Sequence, residues 1–186
     1  MIFVCLMGIT GSGKSTLESK LEGMGFKRSV SYTTREPQVR NGVQEVDGRE
    51  YKFVTTEKFM NLVENKIIIE YEKYGNNYYG TPEPFGSTRY VSVVCLNGYK
   101  ALRNKYGKQV IGVYLKIDKD LAIERATGRD KTDEQVMKRL ESDLKIADEI
   151  EKSADIVVDA SMSTIDILAD IMKEIKKRKG EFSANL

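Results

Sequence analysis

The sequence predicts an α/β fold of three layers around a parallel central sheet, and three observations carry that prediction. Residues 2–7 form an unbroken apolar run, the pattern of a strand buried on both faces. A glycine-rich turn over 8–13 follows; from Lys14 the pattern is helical, with Leu17 and Leu21 on one side, until Gly23 and Gly25 stop it. Later apolar runs at 91–96, 110–117 and 155–159 alternate with helical stretches, the rhythm of parallel strands joined by crossover helices.

Between the first and second of these runs the texture changes. From Ser29 to about Tyr90, polar and aromatic residues interleave with strand candidates at 51–55 and 67–71 and one short helix at 56–65. This stretch reads as a lobe inserted into the core. After the run 110–117 come Asp118, a helix over 121–126 that breaks at Gly128, and a strongly charged helical stretch at 135–151. The last helix sets Ile165, Leu168, Ile171, Met172 and Ile175 on one face with lysines and glutamates opposite.

Composition narrows the chemistry. At 186 residues the chain suits one domain with a real core, and 31% charged residues fit a soluble protein rather than a membrane one. The first residues lack a basic segment and run straight into the glycine turn, unlike a signal peptide. Cys5 and Cys95 both lie in apolar runs and are expected to be buried free thiols, so the chain is expected in the cytoplasm. A net charge of +2 is too small to announce a nucleic-acid partner. The chain has no histidine, which removes Ser/His and Cys/His nucleophile pairs and histidine-based zinc sites. Phosphoryl transfer runs on the groups that remain, since it depends mainly on positioning and charge neutralisation.

The strongest signal is Gly8-Ile9-Thr10-Gly11-Ser12-Gly13-Lys14-Ser15, which fits G-x-x-x-x-G-K-[ST] at every fixed position. Its glycines let consecutive N–H groups turn inward around phosphate oxygens, and the following helix aims its positive end there. ATP is therefore expected on Gly8, Thr10, Gly11, Ser12, Gly13, Lys14, Ser15 and Thr16. Lys14 reaches the β- and γ-phosphates, and the Ser15 hydroxyl is the expected Mg²⁺ ligand. The context agrees, with a buried strand before the loop and a helix after it.

Many families share that loop, and the middle of the chain separates them. Ser29-Val30-Ser31-Tyr32-Thr33-Thr34-Arg35-Glu36-Pro37, then Glu45-Val46-Asp47-Gly48-Arg49-Glu50-Tyr51-Lys52-Phe53-Val54, then Ile69-Glu70 with Gly75-Asn76-Asn77-Tyr78-Tyr79-Gly80-Thr81 resemble in order the motifs of the guanylate kinase family. The resemblance implies a single domain over 1–186: a P-loop NTPase core in 1–30, 91–118 and 152–186, a small mixed α/β acceptor-binding lobe at about 31–90, and an arginine-bearing helical lid at about 119–151. It implies that Ser31, Glu70 and Thr81 meet a guanine base, that Arg35, Arg40, Tyr51 and Tyr79 hold the acceptor's phosphate, and that Gly80 belongs to the same acceptor-binding set. One carboxylate can accept from both N1–H and the 2-amino group of guanine, a pair of donors adenine lacks. Arg125-Ala126-Thr127-Gly128-Arg129-Asp130 and Lys138-Arg139-Leu140 resemble the family's lid. That casts Arg125, Arg129 and Arg139, with Lys14, as the catalytic cations that neutralise charge as the γ-phosphoryl group moves. Residues 155–159 resemble the segment flanking the adenine pocket.

Three departures stand out. Gln38 occupies the place of the family's second phosphate-binding arginine, so that role passes to Arg40 two residues on. Val93 and Cys95 replace an acidic D-x-D pair. The connection from Thr81 to Val91 is short and carries Pro82, Pro84 and Gly86, which disfavour a helix there. The resemblance thus implies phosphorylation of GMP or dGMP by Mg·ATP. Another phosphorylated acceptor on the same scaffold, such as a different deoxynucleotide or ribose 1,5-bisphosphate, and a non-catalytic binding module are the alternatives.

Overall fold

The computed structural model describes residues 1–40, 42–127 and 133–183. The elements run β1 (Ile2–Gly8), α1 (Lys14–Gly23), β2 (Lys27–Arg28), β3 (Tyr32–Thr33), β4 (Val39–Arg40), β5 (Val43–Gln44), β6 (Lys52–Phe53), α2 (Thr56–Glu64), β7 (Ile68–Tyr74), β8 (Asn77–Pro82), β9 (Arg89–Val93), α3 (Leu96–Tyr106), β10 (Val110–Lys116), α4 (Lys119–Ala126), α5 (Asp133–Leu144), α6 (Ala147–Ser153), β11 (Ile156–Asp159) and α7 (Thr164–Ser183).

A five-stranded sheet in the order β11-β10-β1-β9-β2, parallel at every pairing, forms the centre. Because successive side chains of a strand point to opposite faces, the apolar run of β1 divides between two cores. Ile2, Val4 and Leu6 face α1 and α7, packing with Leu17, Leu21, Ile167, Ile171 and Ile175. Phe3, Cys5 and Met7 face α3 and α6, packing with Tyr99, Leu102 and Ile150. These are the three layers the alternation predicts. The carboxyl ends of β1 and its neighbours lie at one edge, where open α/β sheets bind their ligands.

The inserted lobe is a second sheet, ordered β6-β3-β8-β7 and mixed in direction. Helix α2 covers one face of it. Thr55 caps α2 by accepting from the Lys58 amide, and fully buried Phe59 packs its ring on Tyr71 and Tyr78 at centroid distances of 5.8 and 5.6 Å. A Cβ on Gly80 would lie 2.9 Å from the Phe59 ring and 2.7 Å from Ile68, so only glycine lets α2 seat there.

Several boundaries differ from the sequence expectation. The apolar run 91–96 is not one strand: β9 ends at Val93, Cys95 caps α3 with its sulfur accepting from the Gly98 amide at 3.3 Å, and Leu96 opens the helix. Cys95 is consequently exposed rather than buried, whereas Cys5 is fully buried. The charged stretch 135–151 divides into α5 and α6. The strand expected at 51–55 shortens to Lys52–Phe53, and Asp118 caps α4 through its carboxylate, so that helix begins at Lys119. The connection over 83–88 holds no helix. Among the described residues, no helix is long and apolar enough to cross a membrane.

Candidate active site

The phosphate loop links β1 to α1 through two glycines with positive φ. Gly13 (φ 90°) stands at the start of α1, and Gly11 (φ 86°) lies so close to α4 that a Cβ would fall 2.2 Å from the Ala122 carbonyl oxygen. Lys14 folds back into the loop, its ammonium donating to the carbonyls of Gly8 at 2.8 Å and Ile9 at 2.7 Å. Burial lowers the Lys14 ammonium to about 8; the Asp143 carboxylate opposes that shift and Arg139 reinforces it. Ser15 and Thr16 lie exposed at the mouth. The Thr10 amide and hydroxyl, expected to face nucleotide, are instead both taken by Asp143 of α5, at 2.7 Å each.

A cleft of about 320 Å³ opens beside this loop, lined by Gly11, Ser12, Gly13 and Thr16 on one side and by Arg125, Ala160 and Met162 on the other. Half-buried Arg125 donates to the Ala160 carbonyl at 2.8 Å, which ties α4 to the segment after β11. Arg139 is exposed on α5. Arg129 lies outside the described residues.

The second cluster occupies the face of the small sheet that α2 leaves open. Register places Thr81 of β8 opposite Glu70 of β7. The pairing of Tyr32 with Gly80 carries Ser31, the residue before β3, across from Thr81 on the other side. Directly paired residues point to the same face, so Ser31, Thr81 and Glu70 form one row. Thr81 donates to the Glu70 carboxylate at 3.4 Å. The first turn of α3 closes over this end: a Cβ on Gly98 would lie 2.8 Å from the Thr81 hydroxyl and 3.3 Å from Glu70. Cys95 and Glu72 complete the corner, their ligating atoms within 4.8 Å of each other and of Glu70, and Asn97 donates to Glu72 at 2.5 Å. Burial, then the neighbouring Glu72, pushes the Glu70 carboxyl up to about 7, against the Thr81 hydrogen bond. Enclosure by this corner, then the charge of Glu70, pushes the Cys95 thiol up to about 12 although the residue as a whole is exposed; the thiol is therefore protonated.

Two residues along the same face stands the cationic end. Arg35 lies 5.2 Å from the Tyr51 ring centroid, and Tyr51 meets Tyr79 edge-on at 5.8 Å. Glu45, with its side chain 2% exposed, grips Arg35 with both oxygens at 2.8 and 3.1 Å, and the Glu36 carbonyl accepts a further bond at 2.7 Å. A guanidinium has five N–H donors, so donors remain for an anion. The structure thus brings Ser31, Thr81 and Glu70 together at one end and Arg35, Tyr51 and Tyr79 at the other. Gly80 faces α2 instead. Arg40 sits in the β4–β5 ribbon, where its backbone pairs with Val43. Glu45 and Asp143 are the residues that sequence reasoning missed. Glu45 stood within a quoted motif, and a carboxylate ten positions from an arginine was its signal; Asp143 gave none.

Comparison with known proteins follows the same lines. The guanylate kinase family model matches residues 1–177. The guanylate kinase of Nitratidesulfovibrio vulgaris is 46% identical over 83 residues, 44% of this chain and 38% of that protein; that of Lactiplantibacillus plantarum is 42% identical over 84 residues, 44% of this chain and 39% of that protein. The matched stretch thus spans under two fifths of the length of these curated relatives. Among solved structures, a guanylate kinase from Anaplasma phagocytophilum superposes with a TM-score of 0.66 at 22% identity, covering 96% of this chain and 85% of that one. A gluconokinase from Sinorhizobium meliloti 1021 superposes with a TM-score of 0.53 at 15% identity, covering 99% and 97%. These two likenesses speak to the fold.

Proposed function

Because the chain belongs to the guanylate kinase family, we propose that it transfers the γ-phosphoryl group of ATP to the phosphate of GMP or dGMP. The observation that carries this reading is the open face of the small sheet, with Ser31, Thr81 and the Glu70 carboxylate at one end and Arg35, Tyr51 and Tyr79 at the other. A guanine nucleotide has the matching polarity: two adjacent donors on the base edge and a phosphate at the far end. Ionised, Glu70 accepts both donors, and the Thr81 hydroxyl already bonded to it steadies its oxygens. Adenine would leave this half-buried charge unpaired, which is the more costly outcome.

On the donor side, Lys14 exchanges the carbonyls of Gly8 and Ile9 for phosphate oxygens, and Arg125 flanks the cleft into which the nucleotide leads. Arg139 on α5 and Arg129 complete the cationic set. Among the described residues the one cluster of ligating side chains, Glu70, Glu72 and Cys95, lies in the small sheet. Mg²⁺ at the phosphate loop would accordingly rest on the Ser15 hydroxyl, the nucleotide's own oxygens and water, a donor set this cation accepts. Bound there, it supplies charge neutralisation at the phosphates. The acceptor's phosphate oxygen is already anionic near neutral pH, so transfer proceeds in line without a strong base, in keeping with a chain that lacks histidine.

A second reading draws on Val93 and Cys95. Neither offers a carboxylate beside Glu70, and a protonated Cys95 thiol gives that corner a weaker donor and acceptor. Such a corner suits another phosphorylated acceptor. A coupled ADP-release assay with Mg·ATP against GMP, dGMP, AMP, dTMP, CMP and ribose 1,5-bisphosphate separates the two. Turnover with GMP and dGMP alone is expected; turnover confined to another acceptor would replace the Glu70 assignment. Tight ATP binding with no turnover on any of them would move the chain among the binding modules.

A further inference from the structure

Helix α5 is joined to the phosphate loop at two successive turns. Leu140, 1% exposed, packs with Ile9 of the loop and Ala122 of α4. Three residues on, a single carboxylate oxygen of Asp143 accepts from both the amide and the hydroxyl of Thr10, each at 2.7 Å. Gly11 meanwhile rests against the Ala122 carbonyl. Ile9, Thr10 and Gly11 are thus held by α4 and α5, and the Ser12 amide closes the turn on the Ile9 carbonyl at 3.2 Å. Arg139 lies four residues before Asp143, one helical turn away on the same side. Its charge and that of Asp143 both act on the Lys14 ammonium.

We propose that Asp143 is a positioning residue for phosphoryl transfer: its two bonds to Thr10 fix the rotation of α5 and hold Arg139 toward the phosphate loop. The inference rests on the kinase reading above. A hydrophobic contact alone, Leu140 on Ile9, tolerates rotation about the helix axis. A two-bond polar joint does not, because hydrogen bonds weaken steeply as their angles open.

The chemistry of the joint makes separable predictions. One oxygen accepts both bonds, so Asp143→Asn keeps the joint and should hold kcat within about threefold of wild type. Asp143→Ala removes it and should lower kcat about tenfold or more, with the ATP KM moving much less. The decisive experiment is a double-mutant cycle of kcat with Mg·ATP and GMP over wild type, Asp143→Ala, Arg139→Ala and the double variant. If Asp143 acts through Arg139, its removal does little further harm once Arg139 is gone. Equal and additive losses would overturn the inference, as would a rise in ATP KM at unchanged kcat. Should Asp143→Ala fail to fold, Thr10→Val deletes the hydroxyl bond alone and must show the same non-additivity at smaller size. Wild-type turnover with an additive cycle sinks this inference alone; no wild-type turnover on any acceptor sinks the kinase reading with it.

Discussion

Lowering the pH from 8 to 6 should weaken binding of dGMP about tenfold more in the wild-type protein than in a Glu70→Gln variant. The magnitude follows from the pocket. Enclosure under the first turn of α3 and the nearby Glu72 push the Glu70 carboxyl from its ordinary 4.5 up to about 7. Only the ionised form accepts both N1–H and the 2-amino group; the acid presents a proton to a donor. Affinity is therefore full above the pKa and lost below it, and protonation of a group near 7 weakens it about tenfold between pH 8 and pH 6. The phosphate's own second ionisation, near about 6, affects both proteins alike and cancels in the ratio. Stability runs the other way: a carboxyl with a raised pKa is bound to more protons when folded than when unfolded, so its contribution falls as pH rises from 4.5 to 7. Titration calorimetry across this range, with thermal melts alongside, reads both slopes. An identical pH dependence in Glu70→Gln would refute the assignment of Glu70 to the base.

Two further predictions concern buried charge. Glu45→Ala releases Arg35, whose side chain is only 11% exposed, and should raise the acceptor KM about tenfold while leaving the ATP KM nearly constant; steady-state kinetics in both substrates check this. Asp155 accepts from the Gly112 amide at 2.7 Å and bridges Arg103 at 3.1 Å and Arg178 at 2.6 Å, pinning α3 and α7 to β10. Asp155→Ala takes a carboxylate partner from Arg103 and from Arg178, which keeps Glu174 at 2.7 Å, also leaves the Gly112 amide without its acceptor, and should destabilise the fold by about 3 kcal/mol. That corresponds to a melting temperature lower by roughly 6–12 °C for a chain of this size; calorimetry showing a drop under about 2 °C would contradict it.

The core was legible because its signals are local. An apolar run, a glycine turn and an amphipathic helix each declare themselves within a dozen residues, and β1, the phosphate loop and α1 stand where those signals put them. The boundary at Val93 was not, because the apolar run continues through Leu96 and the cap is a cysteine, a residue with no standing as a cap signal. The division of α5 from α6 was equally hidden: Ile146 precedes α6 without a side-chain cap, and no glycine or proline marks the break. Site residues followed the same rule. The candidates carried by motif, such as Glu70 and Tyr79, could be placed on one sheet from the sequence, and their strands turn them to one face. Asp143 acts across 133 positions on Thr10, and nothing in its immediate neighbours sets it apart from the other acids of that charged helix.

The row of Ser31, Thr81 and Glu70 has a further consequence, for which kinds of change the protein can tolerate. Its three members come from separate strands and meet only because the β7–β8 hairpin turns in two residues, Gly75 and Asn76, with Tyr74 paired to Asn77 and Gly75 at φ 59°. Side chains alternate along a strand, so a single inserted residue that shifted β8 against β7 would send Thr81 toward α2 and put Gly80, which carries no hydroxyl, opposite Glu70. Backbone pairing and much of the fold could survive such an insertion; the row itself could not. The length of an exposed turn is thus what keeps Ser31, Thr81 and Glu70 facing one another.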